Sequence, residues 1–255
     1  MTAATIAALS RDEFLELAYD DTDAFMRSID DNTVYVVKRF YDRDRVLRFR
    51  EFANRFRAAS DPSWHPCLDD CPDYHRVNDE YPKSWVKARM RSFFFHRWNE
   101  HRDLFDQFKD VFELKNHLAG EDKDSYYDTV PSDEVISRIV SHQYPRGGGY
   151  LAEHMDPESP FALIQTIVQG SDYGRDYDSG GLYMREDEDS EPLWIDPHSE
   201  PGDLLVLSPG VRHGVAPIDP DRELDWERED GRWMILPVVI RSDVNMDPAT
   251  KPKAV

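Results

Sequence analysis

Residues 144–157 read YPRGGGYLAEHMDP: a tyrosine, a proline turn, three consecutive glycines, a short apolar step, then His-Met-Asp. In a β-strand, side chains alternate between faces, so residues i and i+2 project to the same side. A strand through this stretch therefore brings the His154 imidazole and the Asp156 carboxylate together. The glycines ahead of them permit a close approach of backbone to a pocket. A flexible hairpin tip is the plainer account of the same run. His-x-Asp recurs by chance in many proteins, so its meaning depends on the rest of the chain.

From about residue 131 onward, short apolar runs alternate with Gly, Pro and Asp turns. They are EVISRIVSHQY, FALIQTIVQ, GGLYMRE, EPLWID, DLLVLSP, GVAPI and RWMILPVVIRS. Many short strands with regular turn signals predict a sandwich or small barrel. The region before them reads mainly helical. SRDEFLELAYDD opens on a serine cap with acids in its first turns. DRDRVLRFREFANRFRAAS spaces Val46, Phe49, Phe52 and Phe56 at helical steps. SWVKARMRSFFFHRWNEHRDLFDQFKDVFELKNHL reads as one or two further helices, and TVYVVKRF as a strand. Residues 61–82, rich in prolines and acids, read as a long loop of the kind that serves as a lid. The acidic stretch 219–231, DPDRELDWEREDG, reads as a hairpin tip or insertion between two strands. The expectation is an α+β fold: a mainly helical region 1–130 packed on a β core 131–255 as one integrated domain.

Composition narrows the function. Against 31 basic residues stand 51 acidic ones, a net charge of −20, and such a surface repels phosphate backbones. No nucleic-acid partner is expected. No membrane partner is expected either, since no apolar run approaches the ~18 residues of a spanning helix. The opening MTAATIAALSRDEFLEL lacks the basic region of a signal peptide. Cys67 and Cys71, flanked by His65 and His75, lack the paired spacing of a zinc site and read as free thiols of a reducing cytoplasm.

A second histidine stands in a matching context. EPGDLLVLSPGVRHGVAPI is a Gly-Asp turn, an apolar strand and a Pro-Gly turn, then His213 opening a new strand. Two imidazoles and one carboxylate on one face leave three positions of an octahedral metal open, an arrangement suited to Fe(II) with a cosubstrate and O2. A closed structural zinc site would take four protein ligands.

The ordered set of HQYPRGGGYLAEHMD, SGGLYM, PGDLLVLSPGVRHGVAP and GRWMILPVVI, over residues 131 to 245, resembles the Fe(II)- and 2-oxoglutarate-dependent dioxygenases. Their core is a double-stranded β-helix, or jelly roll. The resemblance implies Fe(II) held by His154, Asp156 and His213, with 2-oxoglutarate and O2 as cosubstrates. It implies that Arg232, following a glycine at the start of the last strand, binds the distal carboxylate of 2-oxoglutarate. An arginine fits a carboxylate as a bidentate fork. Arg232 lies further beyond His213 than is usual in the family, and the acidic stretch 219–231 accounts for the excess. Arg222 is the runner-up. Tyr144 would give 2-oxoglutarate a second hydrogen bond or pack in the core. Arg146 would face the substrate or remain a solvated turn residue. Trp194 and Gln165 are strand residues that could line the pocket, with no signal beyond that of an ordinary core or surface residue.

The implied activity is hydroxylation, with release of succinate and CO2. Halogenation is disfavoured because the carboxylate ligand is present, while desaturation and ring formation stay open. A small-molecule substrate is expected, an amino acid or natural-product intermediate. The alternatives are a peptidyl or protein residue as substrate and a non-enzymatic, cupin-like binding module.

Overall fold

The computed structural model describes residues 4–58, 73–77, 86–97, 102–130, 133–156 and 159–241. Strand β1 (Thr5–Ser10) runs directly into helix α1 (Arg11–Asp20). At that junction the Ser10 side chain accepts from the Glu13 N–H and the Glu13 carboxylate accepts from the Ser10 N–H, a capping box that satisfies two otherwise orphaned donors. Helix α2 (Thr22–Asp30), strand β2 (Thr33–Lys38) and helix α3 (Arg43–Ala58) follow. Next come strands β3 (Asp73–Val77) and β4 (Ala88–His96), then helices α4 (Arg102–Gln107) and α5 (Lys109–Leu118). The remainder is β-rich: β5 (Val135–Tyr144), β6 (Gly149–His154), β7 (Gln165–Gln169), β8 (Gly181–Arg185), β9 (Leu193–Trp194), β10 (Leu204–Leu207), β11 (Arg212–Ile218) and β12 (Arg232–Arg241).

These strands form two layers. The larger has the order β1-β2-β10-β7-β12-β5-β4, with β3 on β4, and the smaller has the order β4-β6-β11-β8-β9. Strand β4 belongs to both: Arg91 through His96 pair with β5, while Ala88 and Arg89 pair with β6. The outer face of the larger layer carries the helices. There Phe93 stacks on Trp233 with ring centroids 5.9 Å apart, and Phe49 from α3 meets Phe95 edge-on at 6.2 Å. The inner face meets the smaller layer through a second apolar cluster that includes Ile167, Leu182, Val215, Met234 and Leu236. The double-stranded β-helix expected from the sequence is present, with helices packed on it.

Three segments differ from the sequence reading. The run expected to be wholly helical, SWVKARMRSFFFHRWNEHRDLFDQFKDVFELKNHL, contributes β4 to the sheet before α4 and α5 begin. Strand β4 is covered on both faces, so its apolar residues do not alternate with polar ones, and periodicity cannot separate such a run from a buried helix. The stretch TIAALS forms β1, which pairs in parallel with β2. Strands β1, β2 and β4 thus bring the N-terminal half into the same sheet as the downstream strands. Within the loop expected over 61–82, Asp73–Val77 instead forms β3, paired with β4; most of the rest, with His65, Cys67 and Cys71, lies outside the described residues.

The acidic stretch 219–231 does connect β11 to β12, and it folds back on the glycine run. Gly147 has φ +91°, and a Cβ there would stand 2.5 Å from the Leu224 backbone. The Gly147 and Gly148 N–H groups donate to Asp219 O and Ile218 O at 3.1 and 2.8 Å. No helix among the described residues is long and apolar enough to cross a membrane.

Because Phe93 is fully buried between Tyr74, Phe95 and Trp233, Phe93→Ala is expected to cost about 3–5 kcal/mol of unfolding free energy. Urea denaturation reads this as a lower midpoint. An unchanged midpoint would contradict the placement of β4 in the core.

Candidate metal centre

The site is built on the antiparallel pairing of β6 and β11, whose register sets His213 directly opposite His154. Just beyond β6, the Asp156 N–H donates to Pro209 O at 2.9 Å, which ties the carboxylate-bearing residue to the turn preceding β11. The two imidazole rings lie 4.4 Å apart. His154 Nε2 is 3.5 Å from Asp156 Oδ1, and His213 Nε2 is 3.6 Å from Asp156 Oδ2. One ligand atom from each of the three residues lies within 4.8 Å of the others.

The backbone sets the tautomers. His154 Nδ1 is 2.9 Å from Ala152 O, and His213 Nδ1 is 2.9 Å from Val211 O. A carbonyl only accepts, so each Nδ1 carries a proton, and in its neutral form each ring turns an Nε2 lone pair toward Asp156. In that form two lone pairs and a carboxylate converge, an arrangement that a cation completes. Burial lowers the His213 pKa, outweighing the pull of Asp156, and so favours the neutral ligand form. Burial opposes ionisation of Asp156, but its contact with His154 and the fields of His213, His154 and Lys115 outweigh it, and the carboxyl is held below its usual range.

Gln165, which the sequence left undistinguished, donates from Nε2 to Asp156 Oδ2 at 2.9 Å. This steadies the carboxylate and leaves Oδ1 for a metal. Lys115 is fully buried on α5 and donates to Ile164 O, the neighbour of Gln165, at 3.0 Å. Burial brings its pKa down to about 8, and Asp156 pulls in the opposite direction.

The three residues open onto a cavity of about 190 Å³ between the two layers. Its walls include His142, Tyr144, Ile167, Met234 and Leu236 from the larger layer, and Leu151 and Leu182 from the smaller. Arg232 and Tyr144 are cross-strand partners on β12 and β5, both fully buried. The Arg232 Nε and Nη2 donate to the two oxygens of buried Asp196 at 2.6 and 2.9 Å. Asp196 also accepts from Tyr177 Oη and the Leu182 N–H. Burial disfavours the guanidinium charge, yet Asp196 more than offsets this and raises the pKa. That pair takes one edge of the fork. Nη1 meets only the Met234 thioether, 3.1 Å away, and the Tyr144 hydroxyl meets the same sulfur at 3.9 Å. A thioether is a weak acceptor, so two strong buried donors remain poorly satisfied beside the cavity. Gly181 lets Asp196 reach this position, since a Cβ there would stand 2.3 Å from Asp196 Oδ2.

The remaining sequence candidates lie elsewhere. The Arg146 guanidinium is surrounded by aspartates, with Nε 2.5 Å from Asp219, Nη2 2.5 Å from Asp178 and Nη1 3.7 Å from Asp230. Arg222 sits on the surface, paired with Asp178 at 3.2 Å. Trp194 is exposed against Tyr183 on the far side of the smaller layer. Sequence reasoning named Gln165 only as a strand residue that could line the pocket, which it does, and missed Lys115, His142 and Asp196. Only His142 had a local signal, since it shares a strand face with Tyr144.

Two substitutions check this account. Gln165→Leu is expected to weaken Mn(II) binding about 10–100-fold by calorimetry; unchanged affinity would contradict its role at Asp156. Asp196→Ala leaves a buried guanidinium without its counter-charge and is expected to cost about 3–5 kcal/mol of stability in urea unfolding. A stable variant would contradict the buried pair.

No protein-family model matches the sequence, and no curated protein matches it. Solved structures do match. A Pseudomonas putida prolyl-4-hydroxylase has TM-score 0.53 at 14% identity, covering 86% of this chain and 97% of that one. A putative 2OG-Fe(II) oxygenase family protein from Caulobacter crescentus has TM-score 0.52 at 15% identity, covering 100% and 96%. A full-length Neurospora crassa protein in complex with alpha-KG and thymine has TM-score 0.54 at 13% identity, covering 94% and 86%. The chain has the double-stranded β-helix fold of the Fe(II)- and 2-oxoglutarate-dependent oxygenases.

Proposed function

We propose that this chain is an Fe(II)- and 2-oxoglutarate-dependent oxygenase that hydroxylates an unactivated C–H bond of a small molecule, such as an amino acid or a natural-product intermediate. The observation that carries the reading is the convergence of His154 Nε2, His213 Nε2 and the Asp156 carboxylate at one end of a cavity between the two layers. Two neutral imidazoles and one carboxylate suit Fe(II) and leave coordination positions open.

His154, Asp156 and His213 would hold the metal, and Arg232 with Tyr144 would hold the distal carboxylate of 2-oxoglutarate. The poorly satisfied Nη1 and hydroxyl donors at Met234 support that second assignment. When bound, Fe(II) and 2-oxoglutarate supply the oxidising power: one O2 is consumed, the 2-oxo acid becomes succinate and CO2, and a substrate C–H becomes C–OH. The chain supplies position and exclusion of water. Gln165 keeps Asp156 from turning away from its imidazole partners. Ile167, Leu182 and Leu236 wall the cavity with apolar surface. The Arg232–Asp196 pair is neutral overall, so Arg232 acts as a pre-oriented donor edge more than as a free positive charge.

Anaerobic titration with Fe(II) and 2-oxoglutarate tests the reading. A weak visible charge-transfer band near ~500 nm is expected from chelation at an open site of this ligand type; its absence in the wild-type protein would remove the oxygenase reading. Tyr144→Phe should keep the band and raise the 2-oxoglutarate Kd about 5–30-fold, the loss of one buried hydrogen bond, whereas Arg222→Ala should leave Kd unchanged. Succinate release stimulated by small-molecule extracts is expected; release stimulated only by peptides would replace the substrate class.

A further inference from the structure

One cavity residue has no part in the assignments so far. His142 lies on β5 two residues before Tyr144, on the same face. It is paired across the sheet with Met234 on one side and Ser92 on the other. Met234 is the residue whose sulfur takes up Arg232 Nη1 and Tyr144 Oη, so His142 borders the same corner of the cavity. Its ring stands edge-on to Tyr144 with centroids 6.1 Å apart. Nδ1 is 2.8 Å from Ser92 Oγ, and no described residue is bonded to Nε2.

The surroundings fix the charge of this ring. Burial, reinforced by Arg232 and His154, takes its pKa down to about 3, with Asp156 pulling weakly the other way. The imidazole is therefore neutral and carries one proton. If the Ser92 hydroxyl donates to Nδ1, that proton is on Nε2, leaving an N–H donor at the cavity. A histidine kept only for packing would be poorly placed beside Met90, Met234 and Leu236, because an aliphatic side chain fills such space without desolvating a polar atom.

We propose that His142 Nε2–H is a third donor to the distal carboxylate of the bound 2-oxo acid, alongside Arg232 Nη1 and Tyr144 O–H, and that Ser92 sets the tautomer that makes it a donor. This rests on the oxygenase reading above. A carboxylate has room for all three, since its two oxygens offer about four lone-pair directions. His142 then helps select a dicarboxylic 2-oxo acid over one with an apolar tail.

The test is anaerobic titration of the Fe(II)-loaded full chain with two acids, 2-oxoglutarate and 2-oxopentanoate, which lacks the distal carboxylate. His142→Leu is expected to raise the 2-oxoglutarate Kd about tenfold while leaving the 2-oxopentanoate Kd unchanged. Ser92→Ala, a milder change that keeps the ring, should shift 2-oxoglutarate alone in the same direction, and His142→Gln should recover most of the affinity. Equal weakening of both acids would make His142 a packing residue and overturn the inference, as would a 2-oxoglutarate Kd indifferent to His142→Leu and Ser92→Ala. If the wild-type chain formed no 2-oxoglutarate complex, the oxygenase reading itself would fall, a result distinct from a complex that forms and ignores His142.

Discussion

The antiparallel register of β6 and β11 is the constraint on which the site depends. It places His154 and His213 directly opposite each other, and a one-residue slip would turn one imidazole to the outer face. The register is held from several directions. The Asp156 N–H is tied to Pro209 O, β11 pairs with β8 on its other edge, and Val215 and Leu182 pack inward beside the histidines. Each histidine donates Nδ1–H to the carbonyl two residues before it, so strand geometry fixes ring orientation and tautomer together. The metal-binding geometry is therefore a consequence of the sheet rather than of flexible loops.

A second buried element, the Asp196–Arg232 pair, stands behind the cavity residues Tyr144 and Met234. A guanidinium with no counter-charge would be costly there, and a lone carboxylate equally so. Pairing them, with Tyr177 and the Leu182 N–H as further donors to Asp196, leaves a neutral unit with one guanidinium edge turned to Met234. The site thus combines the His-Asp-His donor set with nearby hydrogen-bond donors and apolar walls. That combination suits a ligand chelated at one end and anchored through a carboxylate at the other.

Much of this was legible in the sequence, for identifiable reasons. His154 and Asp156 are two residues apart, so their convergence is a local matter even though β6 ends at His154 and leaves Asp156 just beyond it, and the Gly-Asp and Pro-Gly turns around LLVLS delimited the strand before His213. The same turns and short apolar runs pointed to a sandwich or small barrel, and the family resemblance narrowed that to a jelly roll. Strand β4 was not legible, because SFFFH is buried on both faces and shows no period. The roles of Gln165, Lys115 and Asp196 were invisible for a different reason. Their meaning comes from partners 9, 49 and 36 residues away in the chain, brought close only by the sheet. Gln165 in particular looks like any strand residue until β7 is set beside the end of β6. The glycine run, whose role the sequence left open, turns the chain and receives the acidic segment through Gly147.

The central claim is that one metal and one 2-oxo acid occupy this cavity between two fixed ends. An anaerobic crystal structure with Fe(II) and 2-oxoglutarate tests it most directly. The account predicts a single ion about 2.0–2.2 Å from His154 Nε2, His213 Nε2 and an Asp156 oxygen, with the distal carboxylate displacing Met234 from Arg232 Nη1 and Tyr144 Oη. An ion bound elsewhere, or 2-oxoglutarate lying away from Arg232 with the Asp196 pair unchanged, would contradict it.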